Sequence, residues 1–258
     1  MSLVSVKNLS INFGGLKAVQ DFNLELQEGE LLAIIGPNGA GKTTIFNMLT
    51  GIYVPTEGTI TVDGKTLNGM RACDFNAAGI ARTFQNIRLF GAVSVLDNLI
   101  IAMGSQINYS LFSALLRTKK FKREEAEKRE QAMKLLEFFE LADKADYLAK
   151  NLPYGDQRRL EIARALATNP KVLCLDEPAA GMNPREVDDL MKTIVKIREN
   201  FKVTIILIEH HMSMVMKIAE RIKVIDFGVT IAEGGVEEVQ NDPKVIEAYL
   251  GKEASGIC

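Results

Sequence analysis

The sequence predicts an α/β fold, in which a core built on a mostly parallel sheet carries an antiparallel β subdomain and a helical subdomain. Three observations carry this expectation. After Pro153, short apolar runs alternate with helical segments, the rhythm of parallel strands covered on both faces. Positions 3–28 alternate apolar and polar residues, the rhythm of antiparallel strands. Positions 94–150 keep a helical pattern.

In chain order, Leu3-Val4-Ser5-Val6, Ala18-Val19 and Phe22-Asn23-Leu24-Glu25-Leu26 set apolar residues on one face, with Gly14-Gly15 as a turn between them. Leu31 to Ile35 is a continuous apolar run that stops at Gly36, as expected of a buried strand feeding a loop. A helix is expected from Lys42 to Leu49, ending near Gly51. Positions 58–67 return to alternation around a Val62-Asp63-Gly64-Lys65 turn and should pair with the early strands. In positions 121–141, Ala132, Leu135, Leu136 and Phe139 share one side of a helix, and the charge run 119–129 reads as a solvated face. Further on, strands are expected at 172–175, 204–208 and 222–226, with helices at 156–167, 185–200 and 212–220. Met212, Val215, Met216 and Ala219 read as core. Asp242-Pro243 opens a last helix that Gly251 should stop, with a loose tail beyond.

Composition narrows the function classes. The chain has 258 residues, 47% hydrophobic and 25% charged, which suffices for a large core. Net charge is −2, without the basic excess of a nucleic-acid binder. Cys73, Cys174 and Cys258 fit neither a disulfide framework nor a metal-ligand spacing and suggest a reducing compartment. No signal peptide opens the chain, and no run approaches the ~18 apolar residues of a membrane span. Any membrane role must go through a partner.

Two segments carry chemistry. Gly36-Pro37-Asn38-Gly39-Ala40-Gly41-Lys42-Thr43 matches G-x-x-x-x-G-K-[ST], with a strand before it and a helix after it. In such a P-loop, glycines let backbone N–H groups wrap a phosphate, and the helix N-terminus adds a favourable dipole. Lys42 would neutralise the β- and γ-phosphates, and the Thr43 hydroxyl would face Mg²⁺. With Thr44, these residues form the candidate nucleotide site, and ATP and Mg²⁺ are its candidate ligands. Val172-Leu173-Cys174-Leu175-Asp176-Glu177 is an apolar strand ending in two carboxylates. Asp176 suits a Mg²⁺ shell, and Glu177 suits a base that orients water and accepts its proton.

Further segments complete a set. Pro178 follows Glu177, His210 follows Ile205-Ile206-Leu207-Ile208-Glu209, and Gln85 stands in Arg82-Thr83-Phe84-Gln85. Leu152-Pro153-Tyr154-Gly155-Asp156-Gln157-Arg158-Arg159 stands between them. Taken singly, Phe13 reads equally as a core strand residue, Gln85 as a loop polar residue, and His210-His211 as a solvated helix start or a metal pair. Together, and in this order, the segments resemble the motif set of ABC-transporter ATPases along essentially the whole chain. The resemblance implies that Phe13 stacks on adenine, that Gln85 touches Mg²⁺ and senses a membrane subunit, and that His210 is the switch histidine. It implies that Leu152, Pro153, Tyr154, Gly155, Asp156 and Gln157 form the signature that reaches the γ-phosphate on an opposing subunit. Asn183 would lie in the dimer-contact loop, where aspartate is usual.

The same resemblance implies a single ATPase domain over 1–258, with 1–86 and 161–258 as nucleotide-binding core and 87–160 as helical subdomain. Two such subunits, alike or different, would clamp two ATPs head to tail. Two transmembrane permease subunits and, indirectly, a substrate-binding protein would be partners, and nucleic acid would not. The chain would sit in the cytoplasm, peripheral on the inner face of the membrane. One departure stands out: the usual Ser-Gly-Gly-Gln is Pro153-Tyr154-Gly155-Asp156, so the serine hydroxyl is missing. The segment must then act through backbone N–H groups near Gly155. This variant, the helical insertion and the ending Asp242-Pro243-Lys244-Val245-Ile246-Glu247-Ala248-Tyr249-Leu250-Gly251 resemble the ATPases of branched-chain amino-acid importers. The rival readings are a motor for another cargo such as lipopolysaccharide export, a soluble ABC protein acting on DNA or ribosomes, and a P-loop kinase.

Overall fold

Strand β3 (Leu31–Ile35) is buried along its length, with a parallel neighbour on each side. It shows why continuous apolar runs mark the core. Leu32 and Ile34 enter one hydrophobic cluster, while Ala33 and Ile35 enter another across the sheet. The computed structural model describes residues 2–106, 113 and 115–254. They fall into two units, residues 1–85 with 171–258, and residues 86–170.

The first unit holds two sheets. Its antiparallel sheet has the order β2-β1-β4-β5, from β1 (Val4–Phe13), β2 (Leu16–Leu26), β4 (Glu57–Val62) and β5 (Lys65–Thr66). Asp63 and Gly64 both have positive φ, 49° and 76°, the backbone of a tight hairpin whose twist matches the strands. The main sheet has the order β10-β9-β3-β8-β7-β6. Here β6 is Ile80–Arg82, β7 Val172–Asp176, β8 Thr204–Ile208, β9 Arg221–Asp226 and β10 Val229–Gly234. All its pairings are parallel except β9 with β10. Helix α1 (Lys42–Leu49) puts Ile45, Phe46, Met48 and Leu49 into the cluster that both sheets share.

Several elements were not expected from the sequence: β6, β10, α2 (Ala72–Ala77) and α8 (Val236–Gln240, numbered in chain order with the helices below). Each is too short for a period to declare itself.

In the second unit, α3 (Val95–Ala102) is capped by Ser94, whose hydroxyl accepts from the Asp97 N–H. Helix α4 (Lys119–Phe138) is capped by Thr118 and buries Ala132, Leu135 and Leu136, with Phe139 buried just beyond. Its charged run forms i,i+4 pairs at Lys120–Glu124 and Arg123–Glu127. Helix α5 (Tyr154–Leu166) starts two residues earlier than expected. The expected boundary at 160 would cut this helix, and the division instead falls at 170. Arg158 and Glu161, both buried, pair at 2.8 Å within α5.

In the first unit, α6 (Pro184–Phe201) and α7 (Met212–Ile218) follow β7 and β8. Val215 is buried, with Met212, Met216 and Ala219 packed beside it. Asp242 accepts from the Lys244 N–H and caps α9 (Pro243–Ala254). That helix runs through Gly251 instead of stopping there; a glycine costs a helix only about 1 kcal/mol and does not break it. Of the expected loose tail, residues 255–258 lie outside the described residues.

Candidate active site

The loop between β3 and α1 is shaped by close backbone approach. A Cβ at Gly36 would lie 2.0 Å from the Ile225 carbonyl oxygen, so no other residue fits. Gly41 has φ 103°, and a Cβ there would meet the Ala18 carbonyl at 2.8 Å. Gly41 is also the N-cap of α1, and no side chain caps that end. The first turn carries no acidic residue, so its N–H groups suit an anion. Lys42 is buried, and its Nζ donates to the Gly36 and Pro37 carbonyls at 2.7 and 2.9 Å. This keeps the ammonium inside the loop it would serve.

Beside the loop lies a cavity of about 600 Å³. Its lining includes Phe13, Asn38, Gly39, Ala40, Gly41, Lys42, Thr43, Thr44 and Glu177. Leu16, Lys17, Ala18 and Phe227 complete it, and sequence reasoning missed these four. The volume suits a nucleotide. Phe13, at the end of the β1–β2 hairpin, is 44% exposed and therefore available for stacking, with Tyr53 edge-on at 5.4 Å. Among the four, Phe227 is a 75% exposed aromatic in the β9–β10 turn, a feature that sequence alone hides in an ordinary Asp-Phe-Gly turn.

At the end of β7 the two carboxylates part. Asp176 is 2% exposed and pairs with Arg82 of β6 at 2.6 Å. Arg82 also donates to Asn47 Oδ1 and Thr50 Oγ1, and its guanidinium lies 5.4 and 5.0 Å from the Phe46 and Phe84 ring centres. Arg82 is the second feature that the sequence did not disclose. Cys174, in the same strand, has its thiol pushed up to about 12 by burial, so it is inert. Glu177 takes φ 45°, a backbone rarely used by a side-chain-bearing residue, and its N–H donates to the Ile208 carbonyl at 2.9 Å. The turn delivers its carboxylate to the cavity. There Gln85 Nε2 donates to Glu177 Oε2 at 2.8 Å, and His210 Nδ1 lies 3.7 Å from the same oxygen. A carboxylate, an amide and an imidazole thus meet beside the P-loop.

The remaining candidates stand elsewhere. Asn183 caps α6: its Oδ1 accepts from the Arg185 and Glu186 N–H groups, and Glu186 accepts from the Asn183 N–H in return. This use of the side chain fits asparagine as well as aspartate. The signature-like segment belongs to the second unit. Leu152 is buried, Pro153 is the N-cap of α5, and Tyr154 is 45% exposed. Gly155 lies in the uncapped first turn of the helix. Asp156 pairs with Lys144 at 2.7 Å, and this bond holds the Lys144 ammonium above its ordinary range. The Gln157 side chain donates to the Leu152 carbonyl at 2.8 Å.

Thr43, Asp176 and Gln85 offer hydroxyl, carboxylate and amide oxygens, the hard donors that Mg²⁺ prefers. The Arg82 bond occupies Asp176 Oδ2 and leaves the other oxygen for a metal's water shell.

Comparisons with known proteins show the family. A family model described as ABC transporter matches residues 19–180, and one described as branched-chain amino acid ATP-binding cassette transporter matches residues 229–255. The chain is 48% identical to the high-affinity branched-chain amino acid transport ATP-binding protein LivG of Salmonella typhimurium, covering 97% of this chain and 98% of that one. It is 46% identical to the corresponding BraF protein of Pseudomonas aeruginosa, with the same coverage. A solved ATP-binding cassette of an ABC transporter in its ADP conformation is 33% identical, with a TM-score of 0.84 over 97% of this chain and 99% of that one. A dimeric cassette in a post-hydrolysis state, bound to ADP and Pi, is 25% identical with a TM-score of 0.75 over 90% and 98%.

Proposed function

This chain belongs to the ABC transporter family of ATP-binding cassettes, and from that premise we propose that it is the ATP-hydrolysing motor subunit of a branched-chain amino-acid importer. The single observation that carries the ATPase reading is the meeting of Glu177, Gln85 and His210 beside the P-loop cavity. The cargo is inferred from the names of the LivG and BraF relatives and from the family match at residues 229–255.

In this reading Phe13 stacks on the base, and the N–H groups of the loop from Gly36 to Thr44 wrap the phosphates with Lys42. Thr43, Asp176 and Gln85 would hold Mg²⁺, which when bound neutralises charge on the β- and γ-phosphate oxygens. Glu177 orients the attacking water and takes its proton, while His210 donates a hydrogen bond to the γ-phosphate. The uncapped start of α5, with Gly155 in its first turn, serves the ATP held by a second ATPase subunit, either a copy of this chain or a relative. Asn183 shapes the loop that meets that subunit. Two transmembrane permease subunits complete the machine, with a substrate-binding protein delivering cargo to them. No described helix is long and apolar enough to cross a membrane, in keeping with a subunit that docks at the cytoplasmic face.

Glu177→Gln is the test. Removing a general base costs about 10²–10⁴-fold in turnover. The variant should bind ATP with unchanged affinity in calorimetry, hydrolyse it slowly and accumulate as a dimer on size exclusion. Normal turnover with only monomer present would reject Glu177 as the base. Uptake of leucine into vesicles holding the reconstituted transporter tests the cargo, and uptake of an unrelated solute alone would reject it.

A further inference from the structure

The turns that follow β7 and β8 converge on one buried carboxylate. Glu209, immediately before His210, is fully buried. A carboxylate at that depth needs hydrogen-bond donors in place of the water it has lost. Its Oε1 accepts from the Ala179 N–H at 2.8 Å, in the turn that begins at Glu177. Its Oε2 accepts from the His210 and His211 N–H groups at 3.0 and 3.3 Å and lies 3.0 Å from His211 Nδ1. One side chain therefore joins the turn carrying the proposed base to the turn carrying the proposed phosphate-sensing histidine. Glu209, His210 and His211 also bring metal-ligating atoms within 4.8 Å of one another. A cation there would have to displace the N–H groups already on Oε2, so the cluster acts as a tether.

We propose that Glu209 is a positioning residue for ATP hydrolysis, fixing the Glu177 and His210 turns to each other so that both side chains address the same γ-phosphate. The proposal rests on the ATPase reading above and adds a residue remote from the P-loop lining. In Glu209→Gln, one carboxylate oxygen becomes an NH₂ group of nearly equal volume. That group faces N–H donors whichever way the amide turns, so one of the two turns loses its tether.

The test uses the full chain. ATP affinity of Glu209→Gln should stay within about twofold of wild type, because the P-loop is untouched, while kcat falls roughly 10–100-fold at unchanged KM, the scale of a small misplacement of reacting groups. The chain has two histidines, so its imidazole ¹⁵N–¹H spectrum holds two sets of signals. The His211 set should show an Nδ1–H tautomer in wild type and lose it in the variant. Unchanged kcat in the folded variant would overturn the proposal, as would ATP affinity falling in step with kcat. Hydrogen exchange on the wild-type chain gives a check that needs no variant to fold. The Ala179 amide should be protected, and exchange at the rate of an open loop would show that the tether is absent.

Discussion

Asp176 ends its strand with a guanidinium on one oxygen, and almost no solvent reaches either partner. Breaking such a buried pair by removing one member typically costs about 3–5 kcal/mol, because the survivor is left charged and dry. Arg82→Met should therefore lower the urea midpoint by an amount worth about 3–5 kcal/mol at unchanged slope. A loss below about 1 kcal/mol would mean that Asp176 finds another partner. Nothing in the sequence near Arg82 announces this role. It is a charged residue in a strand of three, and burial of its side chain depends on β7, which lies far along the chain. Lys42 and Glu177 were legible for the opposite reason. Their chemistry is set by local order: glycines and a helix start around one, an apolar strand ending in acids before the other.

At the scale of the element, α5 presents an unusual helix start. Pro153 has neither an N–H nor a hydroxyl to offer, and no side chain caps the first turn. Asp156, in that first turn, pairs with Lys144. Its charge is thereby offset within the second unit, and the helix dipole remains available to an anion. Gly155→Asp places bulk and a second negative charge in that turn. It should leave ATP binding by the isolated chain intact and reduce ATPase activity with the membrane partners by at least about 10²-fold, the scale of losing one oxyanion donor. Normal turnover would remove this segment from the composite site. The start of the helix was misread by two residues because Pro153 and Tyr154 carry no capping signal. Its interior was clear, since Leu160, Ile162, Ala163 and Leu166 give a period.

At the scale of the molecule, both sheets were legible from the periods of their longer strands. The edge pieces β6, β10, α2 and α8 were not, because three to six residues cannot complete a pattern. The same scale sets the proposed docking. Gln85 closes the first unit, and Asn86 opens the second. Cysteine introduced at Asn86 should crosslink to a co-expressed permease subunit, with the exposed native Cys73 first replaced. Crosslinks found only at the face of the β1–β2 hairpin would move the docking surface elsewhere.

The strand order has a consequence for the birth of the protein. β3, which launches the P-loop, pairs with β8 and β9, not with any strand made close to it in time: Leu31 faces Ile205, and Leu32 faces Arg221. At roughly 5–20 residues per second of synthesis, β3 waits on the order of ten to thirty seconds for those neighbours. The β1–β2 hairpin can close meanwhile, but Gly36 has no Ile225 carbonyl to rest against until β9 emerges. ATP therefore cannot steady the nascent chain on the ribosome. During that interval the apolar strand lacks its sheet neighbours, and nucleotide becomes a stabiliser only once translation is nearly complete.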